Sequence, residues 1–204
     1  MKNKIENFFI SFSLVALMLI MTALCSLIAI FLTGDNLSHD QMFLVTRIAI
    51  VLATGVLFYF YYYLFDENLL KIWSLEKLSN YHKKLIFLTL VLCIFWLIYI
   101  SFIRTIRSNF LIFLVGFLMT SMAEEYMFRG ILEHHLEKSF SNIWVIVIQA
   151  MLFALMGHQG FDMLTNFLVR FPLGVILSII RRQTKSYGVA ISVHLTYDVS
   201  MFIL

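Results

Sequence analysis

Phe110-Leu111-Ile112-Phe113-Leu114-Val115-Gly116-Phe117-Leu118-Met119-Thr120-Ser121-Met122-Ala123-Glu124-Glu125-Tyr126-Met127-Phe128-Arg129 is the stretch that decides how this chain is read. An apolar run long enough to enter a membrane leads straight into two carboxylates and a guanidinium. A charged side chain deep in a membrane helix costs about 2.5–3.5 kcal/mol on insertion scales. Two further apolar stretches carry His158 and the pair His194/Asp198. Carboxylates and histidines on several such helices point to chemistry or transport inside the membrane.

Composition agrees with that setting. Of 204 residues, 61% are hydrophobic and 13% charged, with a mean hydropathy of +0.91. Soluble domains average roughly 45–50% apolar and about 25% charged. Seven apolar segments stand out, over 8–32, 42–65, 85–103, 109–128, 143–159, 161–180 and 187–204. A span needs about 20 residues. The expected fold is an all-α polytopic membrane helix bundle of about seven (six to eight) transmembrane helices. With one Pro and no low-complexity stretch, 1–204 reads as a single integral membrane domain. The first apolar run, preceded by Lys2 and Lys4, is too long for a signal-peptide core and reads as a retained span. The net charge of +3 is scattered, which argues against nucleic acid as a partner. Cys25 and Cys93 lie in apolar runs without metal-ligand spacing and read as small buried hydrophobes.

Basic residues give an orientation. With the N-terminus inside, the inner segments hold Lys2, Lys4, Lys71, Lys77, Lys83, Lys84, Arg129, Lys138, Arg181, Arg182 and Lys185, and the outer ones only Arg104 and Arg107. That bias predicts a cytoplasmic N-terminus. Arg47 and Arg170 fall within spans.

On a helix, Glu125 and Arg129 are four apart and can pair, which leaves Glu124 without a local cationic partner and makes it the candidate base for a water. A salt bridge at a helix end is the competing account. Glu133, His134, His135, Glu137 and Lys138 read as a solvated polar face. His158 closes Leu152-Phe153-Ala154-Leu155-Met156-Gly157-His158; no HExxH is present. His194 and Asp198 share a helix face at i,i+4. Asp162 and Asn166 read as a helix cap and a polar neighbour. Arg170 is expected to pair with Asp162, Asp198 or Glu125, and Pro172 to kink its helix. Tyr59 to Tyr63 read as an interface belt.

The order Glu-Glu-x-x-x-Arg, then a His ending a Phe-containing apolar helix, then His-x-x-x-Asn/Asp resembles the CPBP family of intramembrane proteases. That family includes the eukaryotic prenyl-protein (CAAX) endopeptidases and the bacterial Abi proteins. Glu124-Glu125-Tyr126-Met127-Phe128-Arg129-Gly130 matches the first motif closely. The stretch from Arg181 to His194 resembles the basic loop and helix that carry the last. The likeness covers about 110–204. Two departures stand out: Phe153 lies five residues before His158 where the family usually has four, and Asp198 stands where Asn is usual.

The resemblance implies an intramembrane endopeptidase that hydrolyses a peptide bond in a membrane-associated protein or peptide. Glu124 and His158 would position and activate water, with His194 and Asp198 on the oxyanion or a metal, and Glu125 and Arg129 in support. Glu124, His158 and His194 would be the ligands if Zn2+ is the cofactor. The bilayer and a membrane-associated substrate are the implied partners, and a bacterial cell membrane the implied location. A non-catalytic bacteriocin self-immunity or scaffold protein on the same fold is the alternative. A small transporter is a third reading, without the internal repeat it would be expected to show. The span map puts Glu124 and His194 in the inner half and His158 at the outer end. The fifth helix must therefore start later than Ile143 or sit sunk in the bundle.

Overall fold

Helices that are apolar all round belong in the core of a large protein or in lipid, and the first three helices are of this kind. They are α1 (Lys2–Thr33), α2 (His39–Phe65) and α3 (Asn80–Ile103). A capping box starts α2: Ser38 Oγ accepts from the Gln41 amide at 3.3 Å, and Gln41 Oε1 accepts from the Ser38 amide at 2.8 Å. The computed structural model describes residues 2–33, 37–65, 80–103, 110–156 and 162–203, and no strand occurs among them.

The second half is more broken. Helix α4 (Phe110–Glu125) runs on through a π-helical turn, π1 (Tyr126–Leu132), into α5 (Glu133–Glu137). Then come α6 (Asn142–Met156), a single turn α7 (Met163–Thr165), a second π-helical turn π2 (Asn166–Arg170), α8 (Phe171–Thr184) and α9 (Tyr187–Ile203). Pro172 sits in the first turn of α8. It has no N–H to give the carbonyl of Leu168, and the widened turn π2 stands where that bond is missing. Asp162 caps α7, accepting from the Thr165 amide at 2.9 Å and from the Thr165 hydroxyl. Those two donors hold its carboxyl below the usual carboxylate range. The expected cap is therefore present.

Four helical stretches among the described residues are long and apolar enough to cross a membrane: Lys4–Leu32, His39–Leu64, Phe110–Glu137 and Met163–Thr184. Ile86–Trp96 and Asn142–Leu155 are shorter apolar stretches. At 17 residues, α9 rises about 26 Å, short of a hydrocarbon core of about 30 Å. The protein is an all-helical polytopic membrane protein, and the seven expected segments are helical where they are described, save the extended cap residue Asp162.

Burial is inverted relative to a soluble protein. Phe31, Tyr63, Phe87, Phe95 and Leu111 face outward, while Glu124, Glu125, Arg129, Glu133, His135, Gln149 and His194 are buried. In lipid, polar groups must be satisfied inside the bundle. The apolar core joins Val15 and Met18 of α1, Leu57 and Tyr61 of α2, Met127, Phe128, Ile131 and Leu132 of π1, Phe153 of α6 and Leu177 of α8. Helix α4 packs between α2 and α9, and α8 between α6 and α9. Cys25 and Cys93 are free and only half-buried.

Close helix approach depends on Gly174. A Cβ there would lie 3.1 Å from the Cα of Ala150 and 3.2 Å from the Phe153 ring. Because one obstacle is backbone, α6 and α8 would have to separate. Gly174→Ala is expected to cost about 1–3 kcal/mol, read as a lower melting temperature in detergent; an unchanged melting temperature would contradict this packing.

Candidate active site

Helix α4 brings Glu124 and Glu125 to the bundle centre as neighbours, and α9 brings His194 and Asp198 on one face. The structure joins the two helices through His194, which is fully buried. Its Nδ1 lies 2.9 Å from Glu125 Oε1, and its Nε2 lies 3.6 Å from Glu124 Oε2 and 3.7 Å from Asp198 Oδ2. A carboxylate accepts only, so Nδ1 carries a proton and donates to Glu125. Ser121 donates to Asp198 at 3.3 Å. Glu124 Oε2 and His194 Nε2 are buried without a hydrogen-bond partner. The two atoms that face each other across the helices are thus the two left for something else.

A second layer holds this arrangement. Arg129 Nη1 donates to Glu125 Oε1 at 3.0 Å, both side chains being fully buried. Arg129 Nη2 donates to the Gly174 carbonyl at 3.2 Å, and Gln149 Nε2 to the same carbonyl at 2.9 Å. The guanidinium also lies over the Phe153 ring, 4.6 Å from its centroid. Tyr187 donates to the Arg129 carbonyl at 3.1 Å and accepts from Arg181 at 2.9 Å. The pair Glu125/Arg129 therefore ties α4, α6, α8 and α9 to one another. Its expected i,i+4 contact is present.

With this geometry in view, residues 106–200 match the family of type II CAAX prenyl endopeptidase Rce1-like proteins. This part of the chain is similar to Rce1-like proteins, and that similarity supports an intramembrane CAAX-type protease at family level. No curated protein and no solved structure shows a significant match to the chain. The Rce1-like region contains Glu124, Glu125, Arg129, His158, His194 and Asp198, and the first three helices lie outside it.

His158 lies outside the described residues. Within the Rce1-like region, α6 starts at Asn142 and is sunk in the bundle: Val145 is fully buried, and Phe153 packs edge-on against the His194 ring at 5.7 Å between centroids. Of the two ways to bring α6 to the depth of His194, the structure takes the sunken one as far as Phe153.

The polar face expected from Glu133 to Lys138 is met at Glu137 and Lys138, which are exposed, and is corrected at Glu133 and His135. Glu133 and His135 are buried. Glu133 accepts from Ser178 and pairs with Arg182 at 3.0 Å and Arg181 at 3.7 Å. His135 Nδ1 meets Tyr61 Oη at 3.2 Å. The reason is that α5 prolongs the line of α4 inside the bundle, where the last turn of α8 returns its two arginines. Tyr61 likewise leaves the expected belt and turns inward, whereas Tyr59, Tyr62 and Tyr63 remain exposed. Arg170 is buried with its guanidinium 5.3 Å from the Tyr197 ring centroid. Sequence reasoning missed Ser121, Gln149 and Gly174. Gln149, alone in an apolar run, carried a signal of the same kind as His158.

The donor chemistry around His194 suits zinc, since Glu124 Oε2 and His194 Nε2 both lack partners. A catalytic zinc takes three protein ligands. Among the described residues no group of three His, Cys, Asp or Glu side chains could hold a metal ion, and Asp198 is bonded to Ser121. The described residues alone do not complete a zinc site.

Proposed function

We propose that this chain is an intramembrane endopeptidase that hydrolyses a peptide bond in a membrane-associated protein or peptide. The supporting observation is the pair of partnerless buried atoms, Glu124 Oε2 and His194 Nε2, 3.6 Å apart. A water about 2.8 Å from each is a normal hydrogen-bonding geometry. Glu124 takes the proton as the water oxygen attacks the peptide carbonyl, and returns it to the departing amine. His194, anchored through Nδ1 on Glu125, carries a second proton on Nε2 in this step and donates it as a hydrogen bond to the oxyanion. The three carboxylates within 2.9–3.7 Å of the ring are the charges that balance it. Asp198, an acceptor held by Ser121, orients rather than donates. His158 is the second water-positioning group, and Glu125 and Arg129 are positioning residues. The whole of 1–204 acts as one membrane domain, with 110–204 carrying the chemistry. The N-terminus is cytoplasmic, and the setting is a bacterial cell membrane.

The test is cleavage of a membrane-peptide library by the protein in liposomes. Wild type is expected to cut, and His194→Ala to lose all detectable cutting while still inserting and folding, at a lowered melting temperature because the buried bond to Glu125 is lost. Full cutting by His194→Ala would sink the mechanism. Absence of cutting by wild type, with both proteins still protecting cells from a bacteriocin, would give the chain to immunity instead. Zn2+ held by Glu124, His158 and His194 is tested separately by metal content: one ion per chain in wild type and none in His158→Ala would place it there.

A further inference from the structure

Rings from three helices meet at one level of the bundle. The Phe43 ring of α2 lies 4.8 Å from Phe113 and 5.4 Å from Phe117 of α4, and the Phe202 ring of α9 lies 4.4 Å and 5.5 Å from the same two. A Cβ on Gly116 would strike Phe43, so α2 and α4 touch closely there. Further along, Val51 and Thr54 of α2 border one cavity with Met122 and Ala123 of α4, so these two helices run in the same direction. Helix α9 runs against them, since Ser121 meets Asp198 and Glu125 meets His194. One turn from the ring cluster toward the site therefore brings three polar residues to a common level: Arg47 on α2, Ser121 on α4 and Asp198 on α9.

Arg47 stands among apolar neighbours in the middle of α2. Its guanidinium lies 4.6 Å from the Phe43 ring centroid, and its Nε is buried without a hydrogen-bond partner. It makes no direct ion pair among the described residues, yet Glu124 and Asp198 both act on it electrostatically. Attraction across such a gap is strong where water is scarce.

Asp198 is the least supplied of the three carboxylates around His194. Glu125 accepts from Arg129 and from His194 Nδ1, and in the endopeptidase reading Glu124 holds the water. Among the described residues Asp198 accepts a hydrogen bond from Ser121 alone, at a long 3.3 Å. A carboxylate so placed is drawn to the nearest charged donor. That donor is His194 Nε2, 3.7 Å from Oδ2. A shift of about 1 Å would make the hydrogen bond, and it would occupy the N–H that the oxyanion needs.

We infer that Arg47 is a positioning residue: its charge, delivered from α2, holds the Asp198 carboxylate off His194 Nε2 and leaves that nitrogen free for the substrate. This rests on the endopeptidase reading, and it gives a part in the reaction to a helix outside the Rce1-like match. The peptide is neutral when bound and charged in the transition state, so the loss of Arg47 falls on kcat and not on KM.

Cleavage of a labelled membrane peptide by the full-length protein in phosphatidylcholine liposomes is measured as kcat and KM, with melting temperatures alongside. The proteins are wild type, Arg47→Gln, Arg47→Lys, Asp198→Asn and the double variant Arg47→Gln with Asp198→Asn. Arg47→Gln is expected to lower kcat at least about tenfold with KM within about threefold. Arg47→Lys keeps the charge and should hold at least about a third of kcat. In the Asp198→Asn background the amide still accepts from Ser121 but carries no charge, and Arg47→Gln should cost no more than about threefold there. The double variant should melt at least about 2 °C above the sum of the two single shifts.

An equal tenfold loss in both backgrounds would make Arg47 act on the substrate directly and overturns the inference. So does a kcat near wild type in Arg47→Gln, or a loss carried by KM. Equal losses with glutamine and lysine mark a packing role, again against it. If Arg47→Gln alone does not accumulate, accumulation of the double variant at the Asp198→Asn level supports the inference, and its failure to accumulate overturns it. Coupled melting shifts without any cleavage by wild type remove the endopeptidase reading and leave the hold on Asp198. Cleavage with additive effects in both measurements keeps the reading and removes the inference.

Discussion

Glu124→Gln is expected to lower peptide cleavage at least about a hundredfold while the protein folds and melts as before. A positioned general base contributes about 10²–10⁴ in rate, and an amide cannot take the proton. The structural cost is small because Glu124 Oε2 makes no hydrogen bond in the bundle, and its 3.6 Å contact with His194 is longer than a hydrogen bond. The amide has the same shape and removes a buried charge that makes no ion pair with a lysine or arginine among the described residues. Turnover of a labelled membrane peptide, with the melting temperature as control, measures both halves. Activity within tenfold of wild type would remove Glu124 from the mechanism.

Arg129→Met should show the opposite profile, with stability lost first. The guanidinium is fully buried, bonded to Glu125 and to the Gly174 carbonyl, and stacked on Phe153. Methionine leaves the Glu125 charge without its cation, and breaking one partner of a buried pair costs about 3–5 kcal/mol. Domains hold only about 5–15 kcal/mol in all. The variant is expected to accumulate poorly in the membrane and to melt well below wild type. Glu125→Gln with Arg129→Met in one chain should recover part of the loss, because the double change removes both charges. If the single variant melts like wild type, or if the two losses simply add, the pair is not the brace described above.

Much of the site was legible because of where polarity stands in an apolar chain. Glu124, Glu125, Arg129, His194 and Asp198 interrupt hydrophobic runs, and helical spacing alone pairs Glu125 with Arg129 and aligns His194 with Asp198. The structure brings these five together. Spacing could not show that Glu125 serves two partners at once, since His194 is 69 residues away. Nor could it place Gly174, whose role is played by a backbone carbonyl. Glu133 and His135 were misread because a polar cluster after an apolar run looks like a helix emerging into water. What keeps them inside is a pair of arginines and a tyrosine from distant segments.

The brace between α4 and α9 also sets an order for making the protein. A ribosome delivers the helix holding Glu124, Glu125, Arg129 and Glu133 long before it delivers His194. In that interval Glu125 and Arg129 have only each other. The polar partners that these residues find later in the chain, the Gly174 carbonyl, Ser178, Arg181 and Arg182, have not yet been synthesised. Such a segment is poorly suited to release into lipid by itself. Its integration is coupled to the last third of the chain, and a nascent chain stalled before Tyr187 should hold it at the insertion machinery, extractable where the finished protein is not.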